Sequence, residues 1–444
     1  MSDMTKIRVG YGRVDITPEG SVPLGGYGNP LRRMSNNVRD PLMASCVAIT
    51  DAKDNTLLLF CTDTIRVPQQ WLPTLRERAQ KELGVPGIYA KFSATHTHSS
   101  PDMGMTVDTE HPYYKKYCDG LMAAGKLALE DMADAEIYIS GGDVPAMNFV
   151  RHYIQENGEH CGSNFGTYSA SPIIGHTSDP DTGFQVVKFA REGKKDVLMM
   201  NWQAHPCSTG GIDKLNISAD YIGALRNFME EQTGMHFIYF QGASGNLVTV
   251  SRIKSEIIDE TPEVFSPKLG SFVLPALQQM KKVNGGEIRL AGTEYVHPIN
   301  HSEDHLVPQA EEIVKVWNET GDRTRCKHMA EACGMRSVYH ARGIINKSKL
   351  GESASLPIEA ASVGDLAFAF APYEMFADNG KEIKAGAPYE MTFVMGYSNG
   401  SNGYLPTRQA FEYRCYEANT TKFAPGIGEG LSSTFVKLLQ DLKG

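Results

Sequence analysis

Residues 87–98 read Gly87-Ile88-Tyr89-Ala90-Lys91-Phe92-Ser93-Ala94-Thr95-His96-Thr97-His98, a mostly apolar run that stops in polar side chains, two of them imidazoles. The same pattern returns three times. Val197–Trp202 runs into Ala204-His205-Pro206, 237–240 into Gln241-Gly242-Ala243-Ser244-Gly245-Asn246, and 366–371 into Pro372-Tyr373-Glu374. A near-continuous apolar run marks a strand buried on both faces. In α/β sheets, functional groups gather beyond the carboxyl ends of such strands. A fifth strand, 391–397, leads into the polar stretch 398–404. Between these runs, apolar residues recur every three to four positions, which predicts helices over 69–83, 112–133, 219–232, 267–283, 308–320 and 431–442. Met43–Thr50 and 56–61, joined by Asp51-Ala52-Lys53-Asp54-Asn55, read as a hairpin. The fold class is therefore α/β: a mixed β-sheet flanked by helices, with the site at the carboxyl ends of central strands. One domain spans 1–444, and the more charged segment 261–350, with two helices and one strand, reads as an inserted subdomain.

With 444 residues and 41% hydrophobic content, the chain can bury a large core. Forty-three basic residues against 52 acidic ones leave a net charge of −9. That argues against a nucleic-acid partner, whose affinity comes from neutralising phosphates, and against an anionic membrane surface. A charged fraction of 21%, with well-represented aromatics, argues against disorder. The N-terminus shows no apolar leader, and no run approaches the ~18 apolar residues of a membrane span. No stable membrane anchor is expected. The eight cysteines form no C-x-x-C pair, which reads as reduced, mostly buried thiols in a cytoplasmic protein. A homo-oligomer would match the general habit of soluble enzymes.

Residues two apart in extended backbone share a face. His96 and His98 can therefore supply two metal ligands, or one ligand and one hydrogen-bonding group; two polar loop histidines is the plainer reading. His205 follows a second buried strand, and by itself a histidine before proline reads as a satisfied loop residue. Glu374 follows a third. Burying an unpaired carboxylate is expensive, so a cation partner fits, as does a helix-terminal glutamate favoured by the macrodipole. Taken together, imidazoles and a carboxylate match the donors of a catalytic zinc site, where the metal lowers the pKa of water and polarises a carbonyl. His297, His301 and His305 are spaced by four, but Pro298 and the polar run 300–304 favour an exposed turn. The serine-hydrolase elbow fails because Gly242-Ala243-Ser244-Gly245-Asn246 lacks its last glycine. Cys207 has no evident partner, and neither a P-loop nor a dinucleotide fingerprint occurs.

Several of these blocks resemble the neutral, non-lysosomal ceramidase family. They are Gly12-Arg13-Val14-Asp15-Ile16-Thr17-Pro18, Ser93-Ala94-Thr95-His96-Thr97-His98-Ser99, Asn148 with Arg151, and Asn201-Trp202-Gln203-Ala204-His205-Pro206. Gln241 to Asn246, Ala371-Pro372-Tyr373-Glu374, Gly396 to Thr407 and Tyr416-Glu417 complete the series, in family order across nearly the whole chain. The resemblance is strongest to the family's short, single-domain bacterial branch. It implies a zinc amidohydrolase with one zinc per chain, held by His96, His205, Glu374 and Tyr404. It also implies that His98 and Tyr416 face the substrate carbonyl and that Arg151 contacts a polar group of the substrate. The implied mechanism is direct attack of zinc-bound water on an amide carbonyl.

Three departures bear on the substrate. The chain ends soon after Tyr416, where full-length ceramidases continue into an immunoglobulin-like domain. The family's Gly-Asp-x-Ser reads Gly245-Asn246-Leu247-Val248, and its Pro-Gly-Glu reads Pro372-Tyr373-Glu374. The expectation is a cytoplasmic hydrolase cleaving the C–N bond of a small or N-acylated amide, its pocket walls drawn from loops such as 157–181. Ceramide or N-acyl sphingoid amidase, ester or lactone hydrolase, and a non-catalytic binding protein on a decayed scaffold are the rival readings.

Overall fold

The computed structural model describes residues 6–27, 33–104, 111, 113–162, 171–210 and 214–444; positions 112 and 163–170, which fall in a helix and a loop predicted above, lie outside them. Strands β1 (Ile7–Asp15), β2 (Met43–Thr50) and β3 (Thr56–Thr62) form an antiparallel meander that contains the predicted hairpin. Helix α1 (Leu72–Leu83) leads to β4 (Ala90–Ala94), which lies parallel to β3. Helix α2 (Tyr114–Glu130) returns the chain to β5 (Ala133–Asp143), and β6 (Gly183–Arg191) and β7 (Val197–Trp202) extend the sheet antiparallel. Helix α3 (Asp220–Thr233) crosses to β8 (His236–Gln241), parallel to β7. The strand order is β8-β7-β6-β5-β1-β2-β3-β4, with a short strand, Lys281–Val283, also on β5.

A second sheet follows. After α4 (Pro262–Ala276) comes β9 (Ile288–Pro298), then α5 (Val307–Thr320), α6 (Arg323–Ala332) and α7 (Val338–Lys347). Strands β10 (Ser353–Val363) and β11 (Leu366–Phe370), helix α8 (Ala377–Gly386) and strand β12 (Met391–Met395) complete the order β9-β10-β11-β12, with β11 and β12 parallel. Helices α9 (Tyr416–Thr420) and α10 (Ile427–Lys443) close the chain.

Side-chain alternation sets the layers. Val197 and Met199 of β7, Ile238 and Phe240 of β8, and Leu57 and Leu59 of β3 share one core with Leu366, Phe368 and Phe370 of β11. The residues between them face the other way. Leu58 and Phe60 pack with α1 and α2, Leu198, Met200 and Trp202 with α3 and α4, and Ala367 and Ala369 with α8 and α10. Two sheets thus lie face to face with helices outside each, an αββα stack. Both faces of the central strands are buried, which is why their sequences read as unbroken apolar runs. Each fully buried large side chain contributes about 1.5–3 kcal/mol.

The expected mixed sheet flanked by helices is present, but it is doubled. Several boundaries also differ; the last helix, for one, begins at Ile427 and not at 431. Helix α4 begins at Pro262, with Pro267 and Pro275 inside it, and ends at Ala276, so Lys281–Val283 is free to become a strand. Gly87–Tyr89 is a 3-10 turn before β4. Within 261–350, α4 joins the core under the first sheet and β9 is a strand of the second, whereas α5–α7 gather their own cluster around Ile313, Trp317 and Ile344. The block around Gly12 has a packing role: a Cβ there would overlap the carbonyl of Ala124, so only glycine lets α2 lie directly on β1. Among the described residues, no helix is long and apolar enough to cross a membrane, and all eight cysteines are free.

Candidate functional site

The site lies where strands of both sheets end. Beyond β4, Thr95 N–H bonds to Thr62 O (2.9 Å) and His96 N–H to Thr64 O (2.9 Å), while His96 adopts a left-handed φ of 70°. The two imidazoles are therefore not brought together by extended backbone, as the two-residue spacing suggested; the left-handed turn at His96 does it, and the Nε2 atoms of His96 and His98 lie 3.3 Å apart. His96 donates Nδ1–H to Ile65 O (2.7 Å), and the Tyr397 ring stacks on it at 4.0 Å. Beyond β7, His98 N–H bonds to Pro206 O (3.1 Å), tying the first histidine loop to the second. His205 donates Nδ1–H to the carbonyls of Ser244 (2.8 Å) and Leu247 (3.1 Å). Beyond β11, the backbone of Glu374 pairs in parallel with Tyr404. The turn 242–246 presses on it so closely that a Cβ on Gly245 would stand 2.5 Å from Glu374 O.

Glu374 Oε2 lies 3.4 Å from His96 Nε2 and 3.3 Å from His205 Nε2. Both His205 Nε2 and Glu374 Oε2 are buried without a hydrogen-bond partner. The proton of His205 is committed to Nδ1, and burial, with the Arg151 charge adding to it, pulls the imidazole pKa down to about 4. At neutral pH two lone-pair-bearing atoms therefore face each other across 3.3 Å, an arrangement that a cation between them would relieve. The nitrogens of His96, His98 and His205 all lie within 4.8 Å of one another, close enough to share that ion. Burial, then His96 and His205, hold the His98 imidazole well below its ordinary range, so it too is neutral.

Arg151, Tyr404 and Tyr416 surround this centre. The Arg151 guanidinium donates to Glu417 Oε1 (2.6 Å), Gly245 O (2.7 Å) and the Tyr404 hydroxyl (3.4 Å). The Tyr404 and Tyr416 rings meet edge-on at 5.9 Å. Burial, with Glu374 adding to it, raises both phenols above their ordinary range. The seven residues to which the resemblance gave roles thus stand together. His297, His301 and His305 do not form a centre: His297 bonds to Tyr295 and Ala424 O, and His301 to Asp304 and Gly351 O. Ser244 Oγ bonds to the Tyr397 hydroxyl (2.9 Å), and the nearby His205 has its Nδ1 on backbone, so no serine–histidine pair is built. Tyr397, His152 and Glu417 carry no role in the sequence reading, although Tyr397 and Glu417 lie inside the quoted blocks.

Fold and site together define an αββα protein with imidazole, carboxylate and phenol groups converging at strand ends. No protein-family model and no curated protein matches the sequence. Among solved structures, the chain is similar to the neutral ceramidase of Pseudomonas aeruginosa, with a TM-score of 0.70 and 17% identity over 98% of this chain and 74% of that one. It is equally similar to a ceramidase complexed with C2, with a TM-score of 0.70 and 16% identity over 98% of this chain and 75% of that one. The fold is that of the neutral ceramidases.

Proposed function

We propose that this chain is a zinc-dependent hydrolase of amide C–N bonds, with a single zinc held by His96, His205, Glu374 and Tyr404. The observation that carries it is the unpartnered, buried pair His205 Nε2 and Glu374 Oε2, whose lone pairs face each other across 3.3 Å. Neutral imidazole, carboxylate and phenol oxygen are zinc donors, and backbone carbonyls on the Nδ1–H of His96 and His205 fix their ring orientations, as such sites require. Zinc bound there would act as a Lewis acid on the substrate carbonyl and bring the pKa of water toward ~7.

The chain's own groups supply the rest. The Tyr416 phenol, kept protonated by burial, can donate to the carbonyl oxygen as negative charge develops on it. His98, whose Nε2 lies 3.3 Å from that of His96, is read as facing the substrate carbonyl or passing a proton to the leaving amine. The low exposure of the histidines keeps bulk water from competing. We read 1–444 as one catalytic unit in which α5–α7 form a helical excursion between β9 and β10. The eight free cysteines support a cytoplasmic location.

The substrate is read as a small or N-acylated amide. A long-chain N-acyl sphingoid is the second reading, favoured by the ceramidases among the similar solved structures. Ester or lactone cleavage would use the same groups. Metal analysis of protein purified without added metal tests the proposal. Less than about 0.2 zinc per chain, with turnover indifferent to a chelator, would sink it. His96→Ala and Glu374→Ala should each abolish turnover while leaving the circular dichroism spectrum unchanged. Turnover across an acyl-chain-length series separates small amide from lipid amide.

A further inference from the structure

Arg151 and Glu417 are the most deeply buried ion pair next to the site, at 2% and 1% exposure. We propose that Glu417 is a positioning residue: its carboxylate fixes the Arg151 guanidinium against the phenol oxygen of Tyr404, so that Arg151 serves that tyrosine rather than the substrate. This rests on the reading above that Tyr404 holds the metal.

The pair is over-determined. Glu417 Oε1 accepts from Arg151 Nε (2.6 Å), and Glu417 Oε2 accepts from His152 Nε2 (2.8 Å), so both carboxylate oxygens are committed. The backbone N–H of Arg151 bonds to Asn246 O (3.0 Å), which pins the residue at its other end. The guanidinium, so held, lies 5.7 Å from the centroid of the Tyr404 ring and reaches its hydroxyl at 3.4 Å. A second donation goes to Gly245 O (2.7 Å), on the turn that presses against the backbone of Glu374. One side chain therefore supports the surroundings of two of the four groups read as metal ligands. Glu417 is also the second residue of α9, whose first residue is Tyr416.

His152, Cys415 and Glu417 lie close enough to share an ion of their own. The Arg151 charge already sits on Glu417, however, so this cluster is balanced by a guanidinium and needs no metal. Outer partners of metal ligands typically contribute 10–100-fold to metal affinity, which is the effect expected of this clasp.

The test replaces both charges at once, as R151M/E417M, because removing one alone would leave the other buried and unpaired. Zinc affinity is measured by competition with a chelator. Steady-state constants are measured at saturating zinc on the best amide of the chain-length series. The expected result is a folded variant whose zinc affinity falls about 10–100-fold while KM stays unchanged. A folded variant with wild-type zinc affinity overturns the inference: a raised KM would then place Arg151 on the substrate, and unchanged constants would leave it no role. Should the methionine pair fail to fold, E417Q keeps the shape and one acceptor. It should weaken zinc binding in the same direction at constant KM, and unaltered zinc affinity in E417Q is equally fatal. Wild-type protein that binds no zinc overturns the metal reading and this inference together. Wild-type binding beside an unaffected variant overturns this inference alone.

Discussion

Replacing Gly26 by alanine moves one imidazole of the site without touching any group read as a metal ligand. Gly26 has a φ of +97° and lies flat against His98. A Cβ added there would stand 2.5 Å from Cγ and 2.6 Å from Nδ1 of that ring. Ordinary carbon contact begins near 3.5 Å, so the ring or the loop must move by roughly 1 Å. The ring has little room to retreat. The guanidinium of Arg33 donates to His98 O (3.1 Å), and the Tyr27 ring meets the imidazole edge-on at 4.9 Å. A misplacement of about 1 Å is worth on the order of 100-fold in rate, and the left-handed backbone adds about 1–3 kcal/mol of strain. G26A should therefore lose about two orders of magnitude in kcat, melt at a lower temperature, and keep its zinc. The assay is kcat and KM beside zinc stoichiometry on the same preparation. Wild-type turnover in a variant that melts lower would refute the role given to His98. Zinc lost along with activity would instead make His98 a ligand, completing the histidine triplet.

Other consequences can be checked separately. Burial raises the Asp40 carboxyl to about 6, against hydrogen bonds from Ser218 and Ala219 that favour its ionised form. The folded chain then binds this proton more tightly than the unfolded chain, where the pKa is about 3.9. This contribution is present at low pH and is lost as pH rises through about 6. The stability advantage of wild type over D40N should shrink between about pH 4 and pH 6 in urea titrations; parallel curves would contradict this. S244A should retain turnover, and the wild type should resist labelling by a fluorophosphonate, because the Ser244 hydroxyl only meets Tyr397; covalent labelling at Ser244 would reverse that view. Asp63 and Arg226 form a buried pair in which Nη2 of the guanidinium donates to both carboxylate oxygens, at 2.7 and 2.8 Å. D63N should cost about 3–5 kcal/mol in denaturant unfolding by leaving the guanidinium buried and unpaired. An unchanged denaturation midpoint would count against it.

The strands were legible because each central one is buried on both faces. Val197–Trp202 and its neighbours leave no polar alternation to confuse with a helix. That the strands sort into two sheets was not legible, since residues on opposite faces of a fully buried strand are equally apolar and carry no mark of which layer they meet. Helix α4 was shifted because Pro267 reads as a helix start when Pro262, five residues earlier, is the actual first residue. His96, His205 and Glu374 could be picked out as polar endings of apolar runs. Tyr404 and Tyr416 could not, because a tyrosine in a polar loop looks the same whether its hydroxyl faces solvent or a buried carboxylate; only resemblance pointed to them. Glu417 and His152 carry no local signal at all. Their importance comes from Arg151, which lies 266 residues from Glu417 in sequence.

His96 and His205 follow strands of the first sheet, whereas Glu374 and Tyr404 follow strands of the second. An ion shared by the four would be a cross-link between the two halves of the sandwich. It would not act as a local ornament of one loop. Its binding would then stabilise the contact between the two sheets and not one loop alone. Every tenfold excess of free metal over its dissociation constant would add about 1.4 kcal/mol to the stability of the whole molecule. The catalytic ion would be, in the same stroke, the last fastener of the fold.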